Sequence, residues 1–212
     1  DGGGWLSEGS YGRRGGWTYV ESFKGALKYR PRFIELHQFQ EFAGQFEGNG
    51  YGPKHNHYVD SYSVEYSDDI EPVSLDAPGY RGEGGWGFFY LNLTRALVDL
   101  YRQETPATTV VAVAQPSNGA VITDDEIEVV WTSVGKSAES FSIAVNGEKV
   151  AEDLEGTSAV IDLSRFENGP LHLVLTAEGT QSRYVLSRKE DSLPLSEPVL
   201  ASVEVDFVLK RE

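Results

Sequence analysis

The interpretation of this chain depends on one stretch, Phe33-Ile34-Glu35-Leu36-His37-Gln38-Phe39-Gln40-Glu41-Phe42-Ala43-Gly44-Gln45. It begins as an apolar run typical of a strand and ends in polar and aromatic side chains around Glu41. In parallel α/β enzymes, side chains at the carboxyl end of a strand point into the pocket and carry the chemistry. The stretch therefore predicts either a strand whose carboxyl end borders an active site or an ordinary buried strand that is followed by polar residues.

The segments on either side have the periodicity of α/β units. Apolar residues recur at helical spacing over 17–29, and Arg30-Pro31 ends this helix because the residue before a proline is disfavoured in the α region. A strand over 32–36 follows directly, and a second, broadly apolar helix is predicted over 87–102. A helix followed at once by a strand is the repeating unit of an α/β barrel or a doubly wound sheet.

The character of the sequence changes after a short linker at 103–108. Short strands separated by turn signals follow, and in 141–145 and 171–175 the large apolar residues occupy every second position. Asn146-Gly147 is a strong signal for a two-residue hairpin. Seven or eight strands within roughly a hundred residues predict an immunoglobulin-like β-sandwich, with Trp131 in its core.

The composition narrows the functional classes. The chain has 212 residues and a formal net charge of -15, which argues against nucleic acid and anionic membrane surfaces as partners and is compatible with neutral sugars. It has no cysteine, which excludes disulfides and thiolate metal sites, and no apolar stretch long enough to span a bilayer. Because it begins at Asp1 and contains no methionine, we expect a processed or truncated product.

Acidic and aromatic residues are concentrated between residues 35 and 86. Carboxylates act as acid, base or nucleophile in glycoside hydrolysis and accept hydrogen bonds from sugar hydroxyls. Aromatic faces stack on the apolar side of pyranose rings. The mixture points to a carbohydrate site, with ordinary solvent-exposed charges as the alternative interpretation.

Several segments, taken in order, resemble the end of a (β/α)8 glycoside hydrolase of families 99 and 71. In 19–27 and 32–42 the likeness includes Gln40-Glu41-Phe42, which stands where the families have Asn-Glu-Trp. Asp69-Ile70-Glu71-Pro72 stands where they have Gln-Ile-Glu-Pro, and 90–98 resembles their last helix. The resemblance implies that residues 1–104 are the C-terminal portion of a TIM-type (β/α)8 barrel, followed by the immunoglobulin-like β-sandwich at 105–212.

The chain departs from the family pattern at one catalytic position. Family 99 has a second catalytic glutamate three residues after the first, and Gly44 stands there in this sequence. The resemblance therefore assigns Glu41 alone, as acid, base or substrate-positioning residue. The second carboxylate is expected either before Asp1 or in the inserted segment, among Glu47, Asp60, Glu65 and Asp68.

The same resemblance implies sugar subsites shaped by a set of polar and aromatic residues, His37, Gln38, Gln40, Tyr51, Glu71 and Trp86. Trp86 has a second interpretation, as a packing plug at the barrel mouth. Metal sites are conceivable in two places. His55 and His57 with Asp60 offer two imidazoles and a carboxylate, and Asp68 lies in an acidic run that offers oxygen ligands for calcium without EF-hand spacing. No other cofactor is expected.

These observations support three hypotheses. The first is the C-terminal portion of a secreted bacterial glycoside hydrolase, endo-acting on α-mannan or α-glucan and completed by a missing N-terminal part of the same protein. The second is a non-catalytic glycan-binding or cell-surface protein with a degenerate barrel. The third is a structural adhesin fragment. We expect a secreted, periplasmic or cell-surface location, and a polysaccharide rather than nucleic acid as the partner.

Overall fold

The structure is a computed structural model that describes residues 12–36, 70–72, 86–182, 185–186 and 199–212. A short 3-10 turn at Arg14–Gly16 leads into helix α1, Trp17–Tyr29, and helix α2 spans Phe89–Arg102. The strands of the described residues are β1 Thr109–Gln115, β2 Ala120–Ile122, β3 Glu126–Gly135, β4 Phe141–Val145, β5 Glu148–Leu154, β6 Ser158–Asp162, β7 Gly169–Ser182, β8 Val185–Leu186 and β9 Val199–Leu209.

The strands form two sheets that pack against each other as a β-sandwich. One sheet has the order β1-β3-β6, and the other has the order β2-β9-β7-β4-β5, with β8 also paired to β9. Alternate side chains of β4 and β7 are fully buried between the sheets, namely Ile143, Val145, Leu173 and Leu175. Trp131 lies in this core with its ring centroid 5.3 Å from that of Phe141. The predicted immunoglobulin-like β-sandwich and the core position of Trp131 are therefore confirmed.

The hairpin between β4 and β5 has the geometry that its sequence predicts. Asn146 and Gly147 both have positive φ angles, 51° and 81°, and the flanking residues Val145 and Glu148 pair directly. Two consecutive positive φ angles match the right-handed twist of the strands, and asparagine followed by glycine tolerates them best. The hairpin prediction is confirmed.

Helices α1 and α2 pack on the outer face of the β1-β3-β6 sheet. β1 is buried along all but its last residue, because the sandwich core covers one face and the helices contact the other. Helix α2 contributes side chains at helical spacing with 1% exposure or less, namely Phe89, Leu93, Leu97 and Leu100. The helices predicted over 17–29 and 87–102 are confirmed, within two residues at their ends.

The prediction that residues 1–104 form the C-terminal portion of a (β/α)8 barrel is wrong. In the described residues the apolar faces of α1 and α2 pack on an antiparallel sheet of the sandwich, whereas a barrel would place them outside a ring of parallel strands. The strand expected over 32–36 has no partner strand within the described part of the chain. Amphipathic periodicity shows that a helix covers an apolar surface, but it does not show which sheet provides that surface.

The hydrophobic core continues across the predicted boundary at residues 104/105. Val20 and Leu97 of the helices belong to the same buried cluster as Val111, Trp131 and Leu175 of the sandwich. The helices are thus part of the packing of the sandwich. Neither helix in the described ranges is long and apolar enough to cross a membrane.

Candidate functional site

The start of α2 is joined to two distant segments through a group that we call the Arg13 cluster, consisting of Arg13, Glu71, Trp86 and Tyr90. The indole of Trp86 is fully buried, and its Nε1–H donates a 2.6 Å hydrogen bond to the backbone carbonyl of Glu71. Ile70, the neighbour of Glu71, is 5% exposed. The cluster therefore fixes residues 70–72 against the core at the beginning of α2.

Arg13 occupies the centre of this cluster. Its guanidinium carbon lies 3.6 Å from the ring centroid of Trp86 and 4.5 Å from that of Tyr90, and the residue is 7% exposed. A guanidinium over an aromatic face is attracted by the ring quadrupole, and the attraction is stronger away from water. The Trp86 and Tyr90 rings meet edge to face, with centroids 5.8 Å apart. The cluster is a packed, charged and aromatic junction.

Two glycines next to Arg13 let the backbone pass close to β1 and α2. Gly15 and Gly16 have φ angles of 58° and 92°, a region that favours glycine. A Cβ atom on Gly15 would lie 2.2 Å from the backbone oxygen of Val113, and one on Gly16 would lie 2.9 Å from the ring of Phe89. The Gly-rich sequence around Arg13 is therefore a close-packed connection.

Tyr19 links α1 to α2 beside the cluster. Its hydroxyl lies 3.0 Å from Oγ1 of Thr94, and its ring meets that of Tyr90 edge to face at 6.0 Å. Burial raises the pKa of the Tyr19 hydroxyl, an effect that the hydrogen bond with Thr94 opposes. The phenol therefore stays neutral at physiological pH and serves as a packing and hydrogen-bonding residue.

A polar contact joins α1 to β3 at the level of Thr132. Oε1 of Glu21 accepts hydrogen bonds from Nζ of Lys24 at 2.6 Å and from Oγ1 of Thr132 at 2.5 Å. Lys24 also donates to Oγ1 of Thr132 at 2.8 Å. Burial by itself raises the pKa of the Glu21 carboxyl, but the two hydrogen bonds and the Lys24 charge outweigh it, so that this pKa lies below its ordinary value.

A separate groove of about 680 Å³ lies between the end of β1 and the start of β3. Its lining contains the cation Arg14, the amides Gln115 and Asn118, and a row of carboxylates, Asp124, Glu126 and Glu128. None of the described residues that line it has an aromatic side chain on which a sugar ring could stack. The groove therefore has a mixed lining whose charged side chains are mostly acidic, and it contains none of the residues that the sequence predicts for a carbohydrate site.

Most of the residues selected from the sequence lie outside the described residues. This holds for the predicted acid Glu41, for the subsite residues His37, Gln38, Gln40 and Tyr51, and for the weak metal ligands His55, His57, Asp60 and Asp68. Among the residues that the structure describes, no group of three or more potential metal ligands occurs. These assignments stay predictions.

Glu71 and Trp86 are the two selected residues that the structure describes. The Nε1–H of Trp86 donates to the backbone carbonyl of Glu71, and the assignment of both residues to a sugar subsite stays a prediction. Trp86, however, has no exposed surface, so its ring packs in the core and offers no face to a sugar in this structure. The sequence did not predict the contact of Arg13 with Trp86 and Tyr90. The signal for a close approach at this point was the pair Gly15-Gly16, because glycines let the backbone come near other atoms.

Comparisons with known proteins give only weak fold neighbours. No family model matches the chain, and no curated protein matches it. The fibronectin(III)-like modules of Clostridium thermocellum CbhA are 13% identical, with a TM-score of 0.34 over 48% of this chain and 96% of that chain. An engineered protein is 19% identical, with a TM-score of 0.32 over 50% of this chain and 21% of that chain.

A third solved structure, the Bacteroides uniformis β-glucuronidase, is 13% identical. Its TM-score is 0.27, and the match covers 58% of this chain and 12% of the length of that enzyme. At these TM-scores the similarities give no information about the function of this chain. The assignment of the β-sandwich rests on the strand order and packing of this chain itself.

Proposed function

We propose that this protein recognises a neutral polysaccharide of the α-mannan or α-glucan type. The observation that carries the proposal is the Arg13 cluster, which holds residues 70–72 in place at the end of the acidic and aromatic part of the sequence. Binding residues are commonly carried by connecting segments that a rigid scaffold positions. The helices and the β-sandwich would supply such a scaffold for the segment that joins α1 to α2 in the sequence.

Charge and composition support this class of ligand. The formal net charge of -15 disfavours polyanionic partners, and a neutral sugar pays no electrostatic penalty for approaching an acidic protein. Hydroxyl groups of a sugar donate hydrogen bonds to carboxylates, and aromatic rings cover its apolar face. We assign sugar contacts to Glu41, His37, Gln38, Gln40 and Tyr51, and the proposal implies a secreted, periplasmic or cell-surface location.

Binding is tested with the whole chain and a panel of soluble α-mannans and α-glucans. We expect retarded migration in gels that contain the bound polysaccharide, and a titration in solution gives the affinity. Tyr51→Ala should weaken binding about tenfold or more, the usual effect of losing one stacked ring. Tyr29→Ala is the matched control, because Tyr29 is 76% exposed and lies outside the proposed site. Equal affinity of all three proteins, or no binding to any glycan, overturns the proposal.

A second candidate function is hydrolysis of the same polysaccharide, favoured by the likeness of Gln40-Glu41-Phe42 to a catalytic motif. Glu41 would then act as general acid or base, which requires a second carboxylate or a substitute for it. Release of reducing ends from the panel, abolished by Glu41→Gln and retained by Glu35→Gln, would support hydrolysis. Binding without release in all three proteins would leave recognition alone as the function.

A further inference from the structure

The segment Arg32–Leu36 follows α1, and its apolar side chains are exposed to different degrees. Phe33 is 80% exposed, and Ile34 and Leu36 are 36% and 37% exposed. None of the backbone groups of this segment forms a hydrogen bond in the part of the chain that the structure describes. The sequence has the composition of a strand, so that a sheet edge would satisfy both its backbone groups and its apolar side chains.

The base of this segment is held firmly. The hydroxyl of Tyr101 donates a hydrogen bond to the carbonyl of Pro31. Arg30 donates to the carbonyl of Gln103 at 2.9 Å, and its guanidinium lies 4.7 Å from the ring centroid of Tyr101. The exposed segment thus starts from a fixed position at the end of α2, which lowers the entropic cost of binding through it.

Strand β6 offers an open sheet edge. Thr157 accepts from the N–H of Trp131, and the N–H of Leu163 donates to Asp125, so the backbone groups of odd-numbered residues face β3. The N–H and C=O groups of the even-numbered residues Ser158, Val160 and Asp162 therefore point away from β3, and β6 is the last strand of its sheet among the described residues. Val160 is 64% exposed, an unusual position for a large apolar side chain on an edge strand.

We propose that Arg32–Leu36 of one copy adds as an antiparallel strand to β6 of a second copy of this chain. In this register Ile34 lies opposite Val160, and Arg32 lies opposite Asp162. The paired side chains share the outer face of the sheet, where apolar and opposite-charge pairs are favourable. The parallel orientation would instead place Leu36 opposite Asp162, and the charge pair between Arg32 and Asp162 would be lost.

Charge selects a second copy of this chain as the occupant. Asp162 pairs with Glu126 of β3, and Glu128 follows on the same exposed face, so the outer face beside β6 is acidic. Hydrogen bonding from Ser164 holds the pKa of the Asp162 carboxyl below its usual value, which keeps it charged. Within the segment that would dock there, Arg32 and Glu35 are the charged residues. Side chains alternate along a strand, so Arg32 lies on the face that carries Asp162 and Glu126, and Glu35 lies on the opposite face. The complementarity therefore belongs to one face of the docked strand, where Arg32 meets the acidic edge.

Both elements occur once in every chain, so two copies can exchange them reciprocally and form two identical contacts. The test is sedimentation equilibrium of the whole chain between about 1 µM and about 1 mM, the range in which weak association is measurable. We expect a concentration-dependent dimer, weakened at least about tenfold by Ile34→Asp and by Val160→Lys. Val121→Lys is the matched control, since Val121 is 60% exposed on β2 and takes no part in the contact.

A separate variant tests the charge pair between Arg32 and Asp162. Asp162→Asn keeps an oxygen that can accept from the N–H of Ser164 but removes the charge opposite Arg32, and it should weaken the dimer about threefold to tenfold. Circular dichroism of each variant verifies that the fold is retained. A monomer at every concentration overturns the proposal, and so does a dimer that Ile34→Asp and Val160→Lys leave unchanged. Equal weakening by Val121→Lys also overturns it, because association would then be unspecific.

Discussion

Arg13 stabilises the packing of the N-terminal segment on α2 through two aromatic rings, at 3.6 and 4.5 Å from its guanidinium. Arg13→Ala removes both contacts and the packing of the aliphatic stem, and we expect a loss of about 1–3 kcal/mol in the free energy of unfolding. Urea denaturation measures this loss. The control is Arg165→Ala, because Arg165 lies 5.3 Å from the ring centroid of Phe166 with its side chain 47% exposed. We expect a change below about 0.5 kcal/mol there, and equal losses would contradict the role of Arg13.

The Glu21 carboxylate gives the contact between α1 and β3 a pH dependence. Its pKa is lower in the folded protein than in the unfolded chain, so its contribution to stability is complete above the unfolded value of 4.5. The contribution is lost as the pH falls through the folded value. We expect Glu21→Gln to destabilise the protein at neutral pH and to have no such effect in strong acid, as measured by urea denaturation across that range. Glu155→Gln, at an exposed position, should give a difference that is small at every pH.

At the scale of elements, the entry into α1 depends on two glycines that no other residue can replace without strain. Gly16→Ala brings a Cβ to 2.9 Å from the Phe89 ring at a φ of 92°, so we expect a loss of about 2 kcal/mol or more. Gly25→Ala is the matched control within α1, because a Cβ there has no atom within 4 Å. We expect it to stabilise by about 0.5–1 kcal/mol through helix propensity. Thermal denaturation of the two variants should therefore shift in opposite directions.

The elements themselves were largely predictable from local sequence. The helical period of 17–29, the alternation in 141–145 and the Asn146-Gly147 hairpin are signals that depend on a few neighbouring residues, and each is confirmed. The segment 32–36 shows the limit of such signals. Its apolar run predicts a strand, yet strand formation needs a partner edge, and the described part of the chain provides none.

At the scale of the molecule, the surface that the helices cover was not predictable from the sequence. The apolar stripe of α2 would fit a barrel wall as well as the outer face of β1 and β3, and only the three-dimensional packing distinguishes the two. The candidate site remains a prediction, because Glu41 and most of its proposed neighbours lie outside the described residues. The sequence left Trp86 with two interpretations, a sugar-subsite residue or a packing residue, because sequence context does not report burial, and the ring is fully buried.

The continuous core implies that the helices and the sandwich unfold together. Leu97 is fully buried in α2, which packs on β1, and removal of its side chain leaves a cavity in the core that the helices share with the sandwich. We expect Leu97→Ala to cost about 2–5 kcal/mol, and we expect this loss to appear equally in the most protected amides of α2 and of β7 when hydrogen exchange is followed in mild denaturant. Val160→Ala, at an exposed position, should change both by less than about 0.5 kcal/mol. Loss of protection in α2 while β7 keeps its full stability would show that the helices form a separate unit, because a shared core transmits the cavity to both.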